Sequence, residues 1–260
     1  MSTTNNEQYK INQRQGWNGV ADEWLKCWDV IEPASKNISL RMIELANIKE
    51  GSKILDVATG IGEPSITAAY QVGKNGHVLA TDISLKMLSI AKQRSITLGL
   101  DDRMDFKEGD AETIVLPPLS FDAALCRFGI MFLPDIKAGL NNIYKSLVDG
   151  GFFSAAVWST PSKVPFITLT LETIIKETKI SLPPSNSPGP FSLADENLLK
   201  ELFLESGFKG VTIKEIDMIL TLDSADSFTR FAYETAEPVE TALSNQTPER
   251  KLQILRAITE

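Results

Sequence analysis

The stretch ILDVATGIGEPS, Ile54 to Ser65, decides the fold. An apolar run of strand type enters a glycine turn, and a helix is expected to begin near Glu63, the opening unit of a parallel α/β sheet. The spacing departs from the dinucleotide-binding loop, because Gly60 and Gly62 give G-x-G while Ser65 stands where a third glycine belongs. An acid, Asp56, lies within the strand. G-x-G alone is a weak signal, since any tight strand-to-helix turn needs glycine for its backbone conformation.

On either side of this stretch, short apolar runs alternate with amphipathic ones. Strands are expected at Lys53–Val57, His77–Thr81, Met104–Glu108, Phe121–Cys126 and Gly151–Trp158, with helices starting near Glu63, Ser84 and Asp135. The Ser84 helix has a capping residue, apolar Leu85, Leu88, Ala91 and Ile96 near one stripe, and Gly99 at its end. The fold class is therefore α/β: a doubly wound, mostly parallel Rossmann-like sheet with helices on both faces. Added to it are an N-terminal helical segment and a helical lid after the fifth strand. The segments divide as a helical cap (1–39), an α/β core (40–160), a lid helix with a Pro-rich loop (161–194) and a C-terminal part (195–260).

In the cap, Trp17, Trp24 and Trp28 share one face of a helix. The lid helix runs from about Val164 to Thr178, followed by SLPPSNSPGPF. A helix after Ser192 has Asp195 in a capping-box relation and closes at Ser206-Gly207. GVTIKEIDMILTL reads as one or two strands and the remainder as helix. Sheets of this kind often end in an antiparallel edge strand, so either Met218–Leu222 supplies it or the chain is shortened.

With 43% hydrophobic and 23% charged residues among 260, the composition is that of an ordinary globular protein. No apolar run approaches the roughly 18 residues of a membrane span. The start, MSTTNNEQYK, lacks an apolar signal region, so the cytoplasm is expected. Two distant cysteines, Cys27 and Cys126, argue against a disulfide framework or zinc site. A net charge of -8 disfavours nucleic acid and favours a small-molecule partner. Oligomeric state is not legible.

Three acids fall at or beyond the carboxyl ends of successive strands: Asp56, Asp82 and Asp110. Asp82, twenty residues after Gly62, is placed to accept from both hydroxyls of a ribose, or to cap the turn before Ser84. Asp110, in EGDAE, suits an exocyclic adenine amine, with the Ala111 backbone facing the ring nitrogen; alone it also reads as a structural turn. Together they describe an adenosine with no phosphate.

DVATGIGEP, TDISLKML, EGDAE, FDAALCRFGIMF and LVDGGFF, in this order and spacing, resemble the motifs of class I S-adenosylmethionine-dependent methyltransferases over roughly Leu40 to Trp158. The resemblance implies S-adenosylmethionine as cofactor, with S-adenosylhomocysteine as product. It sets Asp56, Ala58, Gly60 and Gly62 around the methionine part, Asp82 on the ribose, and Asp110 with Ala111 on the adenine. Thr59, Ile83 and Cys126 complete the implied cofactor set, although Cys126 also reads as a small buried hydrophobe. Ala58 departs from the glycine of many relatives. RFGIMFLPD and PGPFSLAD look closest to the small-molecule branch related to quinone and polyketide-tailoring methyltransferases. Missing motifs set aside other branches: CRFG stands where an NPPY-type sequence would be, and three cysteines cannot be drawn from two.

A cofactor without pyrophosphate makes the third glycine dispensable. Methyl transfer by in-line displacement runs largely on proximity and desolvation, and no catalytic side chain or metal ligand is assigned. The only histidine, His77, opens the second strand at the far edge. Acceptor contacts are expected from Tyr9, Trp17, Trp24, Trp28, Arg127, Phe128 and Trp158. The tryptophans equally read as core packing, and Arg127 as a surface ion pair. Rival readings are a non-catalytic S-adenosylmethionine-binding protein and a nicotinamide-dependent oxidoreductase. The acceptor atom, whether oxygen, nitrogen, sulfur or carbon, is not legible.

Overall fold

A computed structural model describes residues 3–179, 187–236, 239, 243 and 246–260. Two helices, α1 (Thr3–Lys26) and α2 (Trp28–Leu45), precede the sheet. The sheet is built from β1 (Lys53–Val57), β2 (His77–Asp82), β3 (Met104–Glu108), β4 (Phe121–Arg127) and β5 (Leu147–Ala156). Its order is β3-β2-β1-β4-β5 and every pairing is parallel. The crossovers are α3 (Ser65–Val72), α4 (Leu85–Thr97) and α5 (Ile136–Ser146). After β5 come α6 (Pro165–Thr178), α7 (Glu196–Glu205), α8 (Ala225–Thr235) and a helix at Pro248–Thr259.

Alternation along β1 assigns the two faces. Ile54 joins Ala68, Ala69 and Val72 of α3 and Met42 of α2 on one side. Leu55 and Val57 join Leu140 and Ile143 of α5 and Phe203 of α7 on the other. Such two-sided burial is why these strands read as continuous apolar runs. Strand order reverses between β1 and β4, so the crevice for a ligand opens at their carboxyl ends. Helix starts are capped by side chains: Ser84 accepts from Met87 N–H, Asp135 from Ala138 N–H, and Asp195 from Asn197 and Leu198 N–H.

Several expectations are corrected. The first helical segment is two helices broken at Cys27, with Trp28 opening the second. Helix α3 begins at Ser65, two residues beyond Glu63. On α4 the buried stripe is Met87, Leu88, Ala91 and Ser95, whereas Leu85 and Ile96 are exposed. β5 starts at Leu147, pairs with Phe121, bulges through the Asp149-Gly150-Gly151 region and resumes at Phe152, so Trp158 lies beyond the strand. Asp195 is itself the cap of α7, and Ser192 instead bonds the Met131 carbonyl. Residues 211–222 form no strand, and among the described residues the sheet has no antiparallel edge. Part of SLPPSNSPGPF, residues 181–186, lies outside the described residues.

Candidate active site

A cavity of ≈ 290 Å³ sits over the tips of β1, β2 and β4. Its floor is the loop after β1 with Asp82, Ile83, Asp110 and Ala111; its far wall is Phe128, Trp158 and Phe166. Helices α1, α6 and α8, with Met218 and Leu220, roof it. Helix α1 is pinned in place: Trp24 Nε1 donates to the Thr235 carbonyl at 2.8 Å, and Arg14 Nε to the Ile83 carbonyl at 3.2 Å. Asn18 Oδ1 accepts from the Ser84 hydroxyl at 2.7 Å.

Asp82 is 8% exposed and faces this cavity. Its Oδ2 accepts from Gly60 N–H and its Oδ1 from Ser84 N–H, both at 2.8 Å. Burial pushes its carboxyl up to about 6 against these backbone bonds. Each oxygen keeps a second lone pair for a ligand hydroxyl. At the tip of β3, Asp110 takes the Glu112 N–H on Oδ1, while the Ala111 carbonyl accepts from Asn142 Nδ2 at 3.0 Å. The Ala111 N–H donates to no partner among the described residues, which leaves a donor for a ring nitrogen. The site thus fits a nucleoside: a fixed ribose acceptor pair, and a donor beside an acceptor for the base.

The loop itself explains Ser65. Asp56 is fully buried in β1 and does not line the cavity. Its Oδ2 accepts from the Ser65 hydroxyl at 2.6 Å, and Ser65 in turn accepts from Thr59 Oγ1 at 2.9 Å. Among the described residues Asp56 Oδ1 has no hydrogen-bond partner, and burial pushes the carboxyl up to about 7. The resemblance sets Asp56 beside the ammonium of a cofactor; in the fold it lies beneath the loop and braces it. Gly60 (φ 58) and Gly62 (φ 108) take left-handed backbone, and a Cβ on Gly62 would meet Ala91 Cβ at 3.3 Å, so α4 can pack close. Ala58 adopts φ 57 without being glycine. Its methyl abuts Gly129, where an added Cβ would lie 2.5 Å from it and 2.8 Å from Cys126 Sγ. Cys126 is fully buried off the cavity wall, its thiol pushed up to about 12 by burial.

Of the expected residues, Ala58, Thr59, Gly60, Asp82, Ile83, Asp110 and Ala111 line the cavity, and Gly62, Asp56 and Cys126 do not. All seven expected acceptor residues, Tyr9, Trp17, Trp24, Trp28, Arg127, Phe128 and Trp158, line it. The tryptophans also pack: Trp17 meets Trp24 edge-on at 6.2 Å, and Arg94 lies over the Trp28 ring at 3.9 Å. Phe128 (φ 60) stacks on Trp158 at 4.0 Å. Arg127 is not a surface ion pair; its Nη1 donates to Ser39 Oγ at 2.9 Å inside the cleft. His77 lies at the opposite edge, 3.0 Å from exposed Asp105.

Lys10, unmarked in the sequence, reaches from α1 to Asp110 Oδ2 (2.8 Å) and Glu112 Oε2 (2.5 Å). Burial opposes its charge, but those two hydrogen bonds prevail and hold the ammonium above its ordinary value. Leu220 and Phe231 on the roof were likewise unmarked. Among the described residues no group of three or more His, Cys, Asp or Glu is placed to hold a metal ion, and no helix is long and apolar enough to cross a membrane.

Comparison with known proteins adds three findings. A profile of the ubiE/COQ5 methyltransferase family matches residues 15–175, more than half of the chain. A ubiquinone/menaquinone biosynthesis C-methyltransferase from Bradyrhizobium sp. is 39% identical over 107 residues, 41% of this chain and 42% of that protein. The chain thus spans about two fifths of the length of the curated relatives it matches. Among solved structures, the complex between the Trm112 methyltransferase activator and a putative methyltransferase from Haloferax volcanii superposes with a TM-score of 0.59 at 18% identity, covering 94% of this chain and 92% of the other. The [4+2]-cyclase SpnF superposes at 0.56 with 18% identity, over 85% of this chain and 73% of that one. At such identities the likeness is one of fold.

Proposed function

The chain belongs to the ubiE/COQ5 methyltransferase family, and from that premise we propose that it transfers the methyl group of S-adenosylmethionine to a small, largely apolar acceptor. The observation that carries this is a single cavity joining Asp82 and Ala111 at one end to Phe128, Trp158 and Phe166 at the other. When bound, S-adenosylmethionine supplies a methyl carbon activated by sulfonium charge.

In this reading Asp82 accepts from the ribose hydroxyls, Ala111 N–H and Asp110 meet the adenine edge, and the Ala58–Gly60 backbone borders the amino-acid tail. The aromatic and aliphatic walls then exclude water and hold the acceptor close, which is where most of the acceleration of an in-line displacement arises. No side chain need carry a proton for this step. The net charge of -8 supports a small molecule over a nucleic acid. The two unpaired cysteines support a reducing, cytoplasmic setting.

Calorimetric titration with S-adenosylhomocysteine tests the assignment. Wild type is expected to bind, and Asp82→Ala to weaken binding by about 1.5–3 kcal/mol, the range for hydrogen bonds to a charged group. Unchanged affinity in a folded Asp82→Ala protein, or binding of NADH in place of adenosylhomocysteine, would overturn it.

A further inference from the structure

Of the two cations on the cavity wall, Lys10 and Arg127, only Arg127 has no carboxylate within 4.0 Å among the described residues. Arg127 closes β4 and faces the cavity beside Phe128 and Trp158. Its Nη1 donates to Ser39 Oγ at 2.9 Å and to the Ser35 carbonyl at 3.4 Å. Among the described residues Nε and Nη2 donate to nothing, and no carboxylate lies within 4.0 Å of the guanidinium. The carboxylates that act on it from further away are Glu63, Asp56 and Glu32. Glu63, on the wall of the same cavity, accepts from Thr67 Oγ1 at 2.6 Å, Asp56 accepts from Ser65, and Glu32 pairs with Lys36 at 3.7 Å, so none of the three bonds the guanidinium directly.

A guanidinium set in a largely apolar wall with only two neutral oxygens, both on Nη1, as partners is costly, and its planar fork of donors matches an oxyanion better than any neutral group. The neighbouring stack supplies the other half of a recognition surface. Phe128 is held at φ 60 with its N–H on the Ala156 carbonyl at 2.8 Å, and its ring lies nearly parallel to Trp158, 11° apart. Both rings of this pair line the same cavity as Arg127, and Phe128 is its neighbour in the chain. Lys10, another cation on the cavity wall, is already neutralised by Asp110 and Glu112.

We infer that Arg127 is the specificity-determining residue of the acceptor subsite, anchoring an anionic oxygen carried by a flat apolar ring that packs on Phe128 and Trp158. The inference rests on the methyl-transfer reading only for naming that ligand the acceptor. The oxygen belongs either to a ring carboxylate or to an acidic, ionised ring hydroxyl, and Arg127 serves both by the same geometry.

Calorimetry of the full chain at pH 7.5 with 1-naphthoate and its neutral counterpart 1-naphthamide tests it. Wild type is expected to prefer the carboxylate by about ten-fold or more, Arg127→Gln to lose that preference to within about two-fold, and Arg127→Lys to keep part of it. Equal binding of the two probes by wild type, which needs no variant, overturns the inference, and so does a preference that survives in Arg127→Gln. A parallel titration with 2,4-dinitro-1-naphtholate identifies the source: whichever anion binds more tightly marks the oxygen the site takes. Adenosylhomocysteine titrated into the same protein separates the two proposals. Its failure to bind with the naphthoate preference intact removes the methyl-transfer reading and leaves an anion site, whereas the reverse removes the anion site alone.

Discussion

Replacing Asp56 by Asn should change how stability depends on pH. The carboxyl is fully buried, with Oδ2 bonded to Ser65 and Oδ1 without a hydrogen-bond partner among the described residues. Burial raises its pKa from 3.8 to about 7. Between those values the native state holds a proton that the unfolded chain has released, so every rise in pH favours unfolding. The stability this group contributes is complete below about pH 3.8 and gone above about pH 7. At about 1.4 kcal/mol per pH unit, the gap between 3.8 and about 7 amounts to about 4 kcal/mol, of which about 2.5–3 kcal/mol falls between pH 5 and 8. Asn keeps an oxygen for Ser65 and cannot ionise. Urea unfolding followed by tryptophan fluorescence, at pH 5 and pH 8, should show Asp56→Asn gaining about 2.5–3 kcal/mol on wild type across that interval. Asp82 titrates in the same direction in both proteins and cancels in the comparison. Parallel pH profiles for the two proteins would refute the reasoning.

Restoring the third glycine by Ser65→Gly removes the hydroxyl shared by Asp56 and Thr59 and should cost about 1–3 kcal/mol in chemical denaturation; no loss would show that the hydroxyl chain does not brace the loop. Gly129→Ala drives a methyl to 2.5 Å from Ala58 Cβ and 2.8 Å from Cys126 Sγ, for a cost of about 1–3 kcal/mol. Ala58→Gly, which suits φ 57, should recover at least about 0.5 kcal/mol of that in the double variant; strict additivity of the two substitutions would contradict the contact.

The buried parallel strands were legible because both their faces are covered, which leaves an apolar run with no polar alternation to confuse it. The sequence places the start of β5 four residues late, since Asp149-Gly150-Gly151 has the composition of a turn while the backbone uses it as a bulge within one strand. Residues 211–222 show why alternation is not a strand. Met218 and Leu220 turn to the cavity and Ile219 is 76% exposed, a period of two produced by a cavity wall with no ladder partner among the described residues. Lys10 was invisible for a different reason. A lysine in a polar helix carries no mark of its destination, and only the docking of α1 brings it to Asp110.

The acids of the opening stretch divide their work by depth. Asp82 and Asp56 both answer to the same loop, one through Gly60 N–H and the other through Ser65 and Thr59. Asp82 stands at the strand end and keeps a face in the cavity, whereas Asp56 is one residue short of the end of β1 and faces protein. Sequence spacing alone gives both the look of ligand-facing acids. The distinguishing signal is Ser65: a dinucleotide loop has glycine there for close helix–strand packing, and a buried serine in its place needs an acceptor for its hydroxyl. Asp56 is that acceptor, so the departure at position 65 and the acid at position 56 explain one another, and the loop is stiffened from below where a pyrophosphate would otherwise have shaped it from above.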